Sequence, residues 1–252
     1  MKKLFYLIVI FSLNNSYAQF SWTEVGGYLF AADIEGETQF RNIETDLDVS
    51  FSDILENLDL GAMAYIEHRN GRWSFLGDVV YVDLSADSVL ASGPILSVEL
   101  DAEVKQILAE VFVAYRVIEQ DYQNAKLGID FLGGVRYNSV EIDIGAEASL
   151  LGLMTSGSRS RKKDWVDGVV GARAQYGYNN GWGLTGWADV GAGSDSDSYQ
   201  LVGLVNYKFE NNVKLFGGYR HYHFEYKDGS GTSRFEIDAD FSGPMLGVSY
   251  RF

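Results

Sequence analysis

Apolar residues fall at every second position through much of this chain. Between 105 and 118, Ile107, Ala109, Val111, Val113, Tyr115 and Val117 share one face. Gln106, Glu110, Ala114 and Arg116 share the other, with Leu108 and Phe112 as exceptions. A period of two is that of a strand, since a helix would repeat at about 3.6. The next stretch repeats the pattern: Leu127, Ile129, Phe131, Gly133, Val135 and Tyr137 oppose Lys126, Gly128, Asp130, Gly134, Arg136 and Asn138. Three more stretches follow, led by Val170 to Tyr178, Trp182 to Val190 and Tyr199 to Phe209.

Turn residues separate these stretches, and the turns alternate between short and long. Asn70-Gly71, Glu119 to Asn124, Asn179-Asn180-Gly181 and Glu210-Asn211-Asn212 are short, and Asn and Gly accept the positive φ that tight hairpins require. The longer connections are expected at 34–58, 86–96, 146–161 and 228–234, with a short hairpin near Ser194 to Asp197. The strands expected are 22–33, 59–69, 73–85, 97–118, 125–145, 162–178, 182–193, 197–209, 213–227 and 235–252. The reading is all-β: a transmembrane antiparallel up-and-down β-barrel of ten strands, with eight or twelve left open. The uncertain region is 34–58, where Thr45, Leu47, Val49 and Phe51 alternate and an extra strand pair is possible. Ser52 to Leu58 opens on a capping residue and is expected to form a short helical turn.

The ends of the chain agree with export. Lys2 and Lys3 precede the apolar stretch Leu4 to Leu13, and Ser16 and Ala18 are small residues at a cleavage site. Residues 1–18 are therefore expected to be a signal peptide, with the barrel domain at 19–252 beginning at Gln19. The final Leu246 to Phe252 alternates to its last residue. No later stretch is long and apolar enough for a membrane helix, and barrels hide their hydrophobicity because alternate residues face a polar interior.

Composition narrows the class. There are 28 glycines, 16 Tyr, 15 Phe, 5 Trp and only two prolines, Pro94 and Pro244. Proline is scarce where each N–H must pair within a closed sheet. With no cysteine there is no disulfide or thiol chemistry, and a net charge of -15 argues against a nucleic-acid partner. Trp22, Trp73, Tyr115, Tyr137, Tyr178, Trp182, Tyr207 and Tyr250 are expected to point outward near strand ends, where amphipathic rings meet headgroups.

The run Ser52 to Gly61 leading into Arg72 to Asp78, with Asp164 to Arg173, Gly217 to Arg220 and Gly247 to Phe252, resembles poorly characterised bacterial outer-membrane β-barrel proteins of the OmpA-like/porin-like group. The resemblance covers most of the mature chain. It implies a barrel fold and an outer-membrane location, with lipid and lipopolysaccharide as surroundings and the barrel-assembly machinery reading Phe252. It brings no catalytic residue, and no peptidoglycan-binding domain is expected to follow.

If the aliphatic face meets lipid, the other face collects Glu67, Arg69, Asp78, Glu110, Arg116, Lys126, Asp130, Arg136, Asp167, Arg173, Asp189, Lys208, Arg220 and Arg251. Six are acidic and eight basic. Buried charges must be paired or solvated, so the set is expected to form an ion network that fills the lumen, or to line a narrow wet pore.

No catalytic, cofactor or metal residue is assigned. His68 is placed near the Asn70-Gly71 turn, and His221, His223 and Glu225 share one strand face. That spacing would suit a metal or a general base, but the sequence supplies no partner. A rim hydrolase would need a set such as Asp195, Asp197 and His223, and no Gly-x-Ser-x-Gly or His-Glu-x-x-His motif accompanies them. Residues 33–56 carry eight acidic side chains against Arg41 alone, and Arg159, Arg161, Lys162 and Lys163 form a basic run in an expected loop or rim. Both are first of all solvated surfaces. The acidic loop would otherwise bind divalent cations, and the basic run would contact lipopolysaccharide phosphates. Cell-surface ligand binding or adhesion through the long loops is the alternative role.

Overall fold

The protein is described here by a computed structural model covering residues 21–40, 43–92, 96–150, 153–229 and 234–252. The expected signal peptide and Gln19 lie outside the described residues. The elements follow in the order β1 (Ser21–Phe30), β2 (Asp33–Phe40), β3 (Ile43–Val49), α1 (Phe51–Glu56), β4 (Leu58–Asn70), β5 (Trp73–Ser92) and β6 (Leu96–Asp121), then β7 (Ala125–Leu150), β8 (Leu153–Tyr178), β9 (Trp182–Ala192), β10 (Ser196–Lys208), β11 (Val213–Asp228) and β12 (Phe235–Arg251). From β4 to β12 each strand pairs with its successor, and β1 closes the sheet by pairing with both β4 and β12. All pairings are antiparallel, and the result is a closed barrel of ten staves, because two of the staves are each built from two strand segments.

The first of these is β1 with β2. Its register against β12 runs on unchanged, from Phe30↔Met245 to Asp33↔Ser242. The Ala31 N–H bridges the interruption by donating to the Pro244 carbonyl at 2.9 Å. The second is β3 with β4, and here the register slips by eight residues (Ser21↔Asn70 against Ile34↔Val49). The slip is taken up by the segment Ser50–Asn57, which holds α1 between its two caps. Ser50 caps the helix: its Oγ accepts from the Asp53 N–H, and Asp53 Oδ2 accepts from the Ser50 N–H at 3.2 Å. This reciprocal box satisfies two N–H groups that the helix leaves free. The helix thus begins at Phe51, one residue before the expected Ser52, and the expected excursion 34–58 is a strand pair plus this turn.

Two other expected loops are corrected. The described residues of 86–96 and 146–161 are strand, and β6, β7 and β8 each run for 26 residues. About ten residues suffice to cross a membrane as a tilted strand. β5 to β8 therefore project far past the rest of the barrel at the end opposite the short turns. The basic run expected in a loop or rim belongs to β8, where Lys163 pairs with Asp228 of β11 and Lys162 with Glu141 and Asp164.

Around the middle of the barrel the outward face is apolar, mostly aliphatic, and exposed: Leu29, Val111, Phe131, Val170, Val190, Leu201 and Leu246 among others. Near the short turns this face ends in aromatic pairs. Trp73 lies 4.8 Å from Tyr115, and Trp182 lies 5.1 Å from Tyr207, ring centre to ring centre. Trp22 is the exception to the expected outward set. It shares the inward face of β1 with Glu24 and Tyr28, and the Arg251 guanidinium lies over its ring at 3.8 Å. The exceptions on β6, Leu108 and Phe112, are buried inward residues that fill the interior. The turns use residues chosen for backbone freedom: Gly71 and Gly181 adopt φ of 59° and 93°.

Candidate functional site

The inward face of each stave delivers polar side chains to the barrel axis, and they assemble in layers. At the seam between β1 and β12, Glu24 of β1 is 2 % exposed. Its Oε2 accepts from Arg251 Nε and Nη2 at 3.0 and 2.7 Å, and its Oε1 accepts from the Tyr65 hydroxyl at 2.6 Å and from Lys214.

The next layer sets three guanidinium groups on two carboxylates. Arg173 donates to both oxygens of Glu67, at 2.9 and 2.8 Å, and to Asp130 Oδ2 at 2.8 Å. Arg69 Nη2 reaches the same Asp130 oxygen at 2.9 Å, and Arg116 holds Asp130 from the opposite side while donating to Gln175 at 2.7 Å. Arg116 reaches that far because Gly128 lies beneath it. A Cβ on Gly128 would collide with the Arg116 guanidinium.

The third layer is reversed in sign. Arg136, fully buried, donates to Glu110 at 2.6 Å, Asp189 at 2.7 Å and Ser198 at 2.9 Å. Ser198 passes the chain on to Asp167 at 2.8 Å. Arg220 Nη2 donates to Glu110 at 3.3 Å, and its Nη1 lies 3.7 Å from Asp78 Oδ1, which also accepts from the Tyr28 hydroxyl at 2.8 Å. Taken together, Arg69, Arg116, Arg136, Arg173, Lys214, Arg220 and Arg251 face Glu24, Glu67, Asp78, Glu110, Asp130, Asp167 and Asp189. Each of these charges has an opposite charge or a hydroxyl within reach, which burial in a low dielectric requires.

Between the second and third layers lies a cavity of about 160 Å³ lined by Tyr65, Phe112, Trp187, Leu204, Phe216 and Met245 with the flanking charges. Above the third layer the interior turns aromatic. Trp165 stacks on Tyr226 at 4.6 Å, Phe224 packs against both Trp165 and Phe241, and the Tyr222 hydroxyl donates to Asn138 at 2.9 Å. Below the second layer a wider vestibule of about 1420 Å³ opens between the short turns.

Eleven of the fourteen charged residues singled out in the sequence lie in the second and third layers, and Arg251 joins the Glu24 cluster. Lys126 and Lys208 stand in the vestibule instead, Lys126 exposed and paired with Glu119 and Asp121. There Lys126 holds the Glu119 carboxyl below its ordinary range. Glu24 and Lys214 were missed. Val25 and Leu29 on the opposite face of β1 carried the signal, since they place Glu24 inward.

The histidines lie elsewhere. His68 is at the short-turn end with Thr23 Oγ1 2.9 Å from its Nδ1. His221 and His223 are on the outward face of β11. The carboxylates His223 reaches are Asp238 and Asp240 rather than Asp195 and Asp197.

No family model matches the sequence, and no curated protein matches it either. Solved structures do. The outer membrane protease OmpT of Escherichia coli aligns over 95% of this chain and 99% of its own at 10% identity, with a TM-score of 0.56. The translocator domain of the autotransporter NalP of Neisseria meningitidis aligns over 92% of this chain and 87% of its own at 13% identity, TM-score 0.36. The attachment invasion locus protein Ail of Yersinia pestis covers 93% and 99% at 12% identity, TM-score 0.32. The OmpT likeness is one of fold: this chain has the closed barrel architecture of an outer-membrane protein.

Proposed function

We propose that this chain is an integral outer-membrane barrel of the OmpA-like/porin-like group with a structural role, its lumen closed by its own ion pairs. The observation that carries the reading is the pair of ionic layers, Glu67–Arg173–Asp130 and Glu110–Arg136–Asp189, whose buried members span the interior. The exposed aliphatic band supports a bilayer around the barrel. In that setting the short turns face the periplasm and β5 to β8 project from the cell. Lipid and lipopolysaccharide surround the wall, and Phe252 is the residue the assembly machinery reads.

The test is single-channel recording in a planar bilayer. The expected result is no stable conductance, and steps on the nanosiemens scale of open porins would overturn the reading. Small steps would instead support passive permeation of small solutes past the 160 Å³ cavity, where Gln200 Oε1 and Arg220 Nε lack a protein partner.

The reading includes no catalysis. His223 lies on the outside of the wall, remote from the interior charges, and its ring stacks on Tyr199 at 4.8 Å. A second reading is cell-surface ligand binding or adhesion, which the projecting sheet of β5 to β8 favours because it presents long strands beyond the barrel. Shortening β7 and β8 at their shared tip should then abolish cell attachment while the heat-modifiable gel mobility of the folded barrel persists.

A further inference from the structure

His221 and His223 occupy alternate positions on β11, facing outward, and β12 provides what the sequence alone left missing. The register sets Asp240 opposite His223, Ser242 opposite His221 and Asp238 opposite Glu225. His223 Nδ1 lies 3.2 Å from Asp240 Oδ1 and 3.7 Å from Asp238 Oδ1. One donor atom from each of the three falls within 4.8 Å of the others. Ligand atoms at about 2.0–2.2 Å from a tetrahedral ion are separated by roughly 3.3–3.6 Å, and the two His223 distances lie just to either side of that range.

The surroundings hold the donors in place. Tyr199 of β10 lies opposite His223 and stacks on its ring with an interplanar angle of 25°, which fixes the imidazole rotation. His221 Nδ1 is 2.5 Å from Ser242 Oγ, and its Nε2 is 3.1 Å from the Tyr199 hydroxyl and 3.4 Å from Asp240 Oδ1, so a second imidazole nitrogen lies beside the same carboxylate. A hydrogen bond to one ring nitrogen that directs the other to a ligand position is the usual outer shell of a metal-binding histidine. The next strand adds charge of the right sign: Glu35 lies opposite Asp240, and Glu37 opposite Asp238. The nearby cation Lys227 is engaged by Glu225 and Glu236. The patch lies beyond the aliphatic band, past Leu201 on β10 and Tyr219 on β11, where water and ions reach the wall.

We propose that His223, Asp238 and Asp240 bind a divalent first-row transition cation, Zn²⁺ by the chemistry of the donors, on the outer wall of the barrel, with His221 or water as the fourth ligand. Imidazole nitrogen selects such ions over Ca²⁺ and Mg²⁺, which take oxygen donors. The ion would tie β11 to β12 and relieve the repulsion between carboxylates two residues apart on one face.

The experiment is titration of the detergent-solubilised full-length protein, stripped with a chelator, with Zn²⁺ by calorimetry and with Co²⁺ by visible absorption. One equivalent of Zn²⁺ is expected to bind, and Co²⁺ to give the intense bands of a four-coordinate site. His223→Ala and Asp240→Asn should each weaken binding by about tenfold or more, and Glu210→Gln at the other end of the barrel should leave it unchanged. No saturable binding below roughly 1 mM overturns the proposal. So does unaltered affinity in His223→Ala protein that keeps its heat-modifiable mobility, or complete displacement of Zn²⁺ by an equal concentration of Mg²⁺. If Asp240→Asn fails to fold, His223→Gln and the Co²⁺ spectrum of the unmodified protein decide the matter.

Discussion

Arg173 of β8 grips both carboxylate oxygens of Glu67 on β4, at 2.9 and 2.8 Å. The two strands are not neighbours: β5, β6 and β7 lie between them around the wall. The bond therefore crosses the lumen, and it acts as a strut between opposite arcs of the barrel. Arg173→Met would leave Glu67 buried beside Asp130 with less opposing charge. The expected loss is about 3–5 kcal/mol, read as a lower urea midpoint for unfolding from lipid vesicles. Adding Glu67→Gln to that variant should recover part of the loss. A double variant as unstable as the sum of the single ones would refute the strut.

Arg116 and Gly128 depend on each other in the same layer. A methyl group on Gly128 meets the guanidinium that spans from Asp130 to Gln175. Gly128→Ala should destabilise by about 1–3 kcal/mol through overpacking, and Gly186→Ala, where a Cβ meets nothing within 4 Å, should be close to neutral. Equal melting of the two variants would show that Arg116 can move aside freely.

Val170 points outward and is 63 % exposed, with Val190 and Phe131 nearby on the pairing strands. If this face meets acyl chains, Val170→Arg should cost about 2–4 kcal/mol in vesicles. The same change in a protein whose outer face meets water would be nearly silent.

Asp197 offers a pH test on the outer face beyond the aliphatic band. Partial burial, and then the Glu225 carboxylate opposite it, push its carboxyl above the ordinary range. The folded protein thus holds this proton more tightly than the unfolded chain. The penalty for ionising it is absent below the ordinary carboxylate pKa of about 3.9, and it grows as pH rises through the folded value. Asp197→Asn is therefore expected to melt higher than the unmodified protein at pH 7, with the difference gone near pH 3. A lower melting temperature at pH 7 would mean that the carboxylate is attracted to His223 more than it is repelled by Glu225.

Much of the wall was legible in the sequence because a barrel stave has a strict period: lipid on one side enforces apolar residues and the interior enforces polar ones. Ile107 to Val117 and Leu127 to Tyr137 carry that record plainly. At 86–96 and 146–161 the sequence reads as loop, whereas the described residues there continue β5, β6, β7 and β8 as strand. The sequence misled at Trp22, whose aromatic ring was assigned to the headgroups by residue type. The alternation of Val25 and Leu29 turns that ring inward beneath Arg251.

The amino-acid order by itself determined that this chain alternates, turns tightly at Asn70-Gly71 and Asn179 to Gly181, and carries its charges on the face away from the aliphatic residues. Those are local properties, set by side-chain period and backbone freedom. Which charges meet across the lumen was decided only by closure of the barrel. Closure brings β4 opposite β8 and lets Arg136 of β7 reach Asp189 of β9, whereas the pairing of β11 with β12 alone sets Asp240 beside His223. Long-range pairing depends on the register of ten staves at once, and no single segment of sequence contains it.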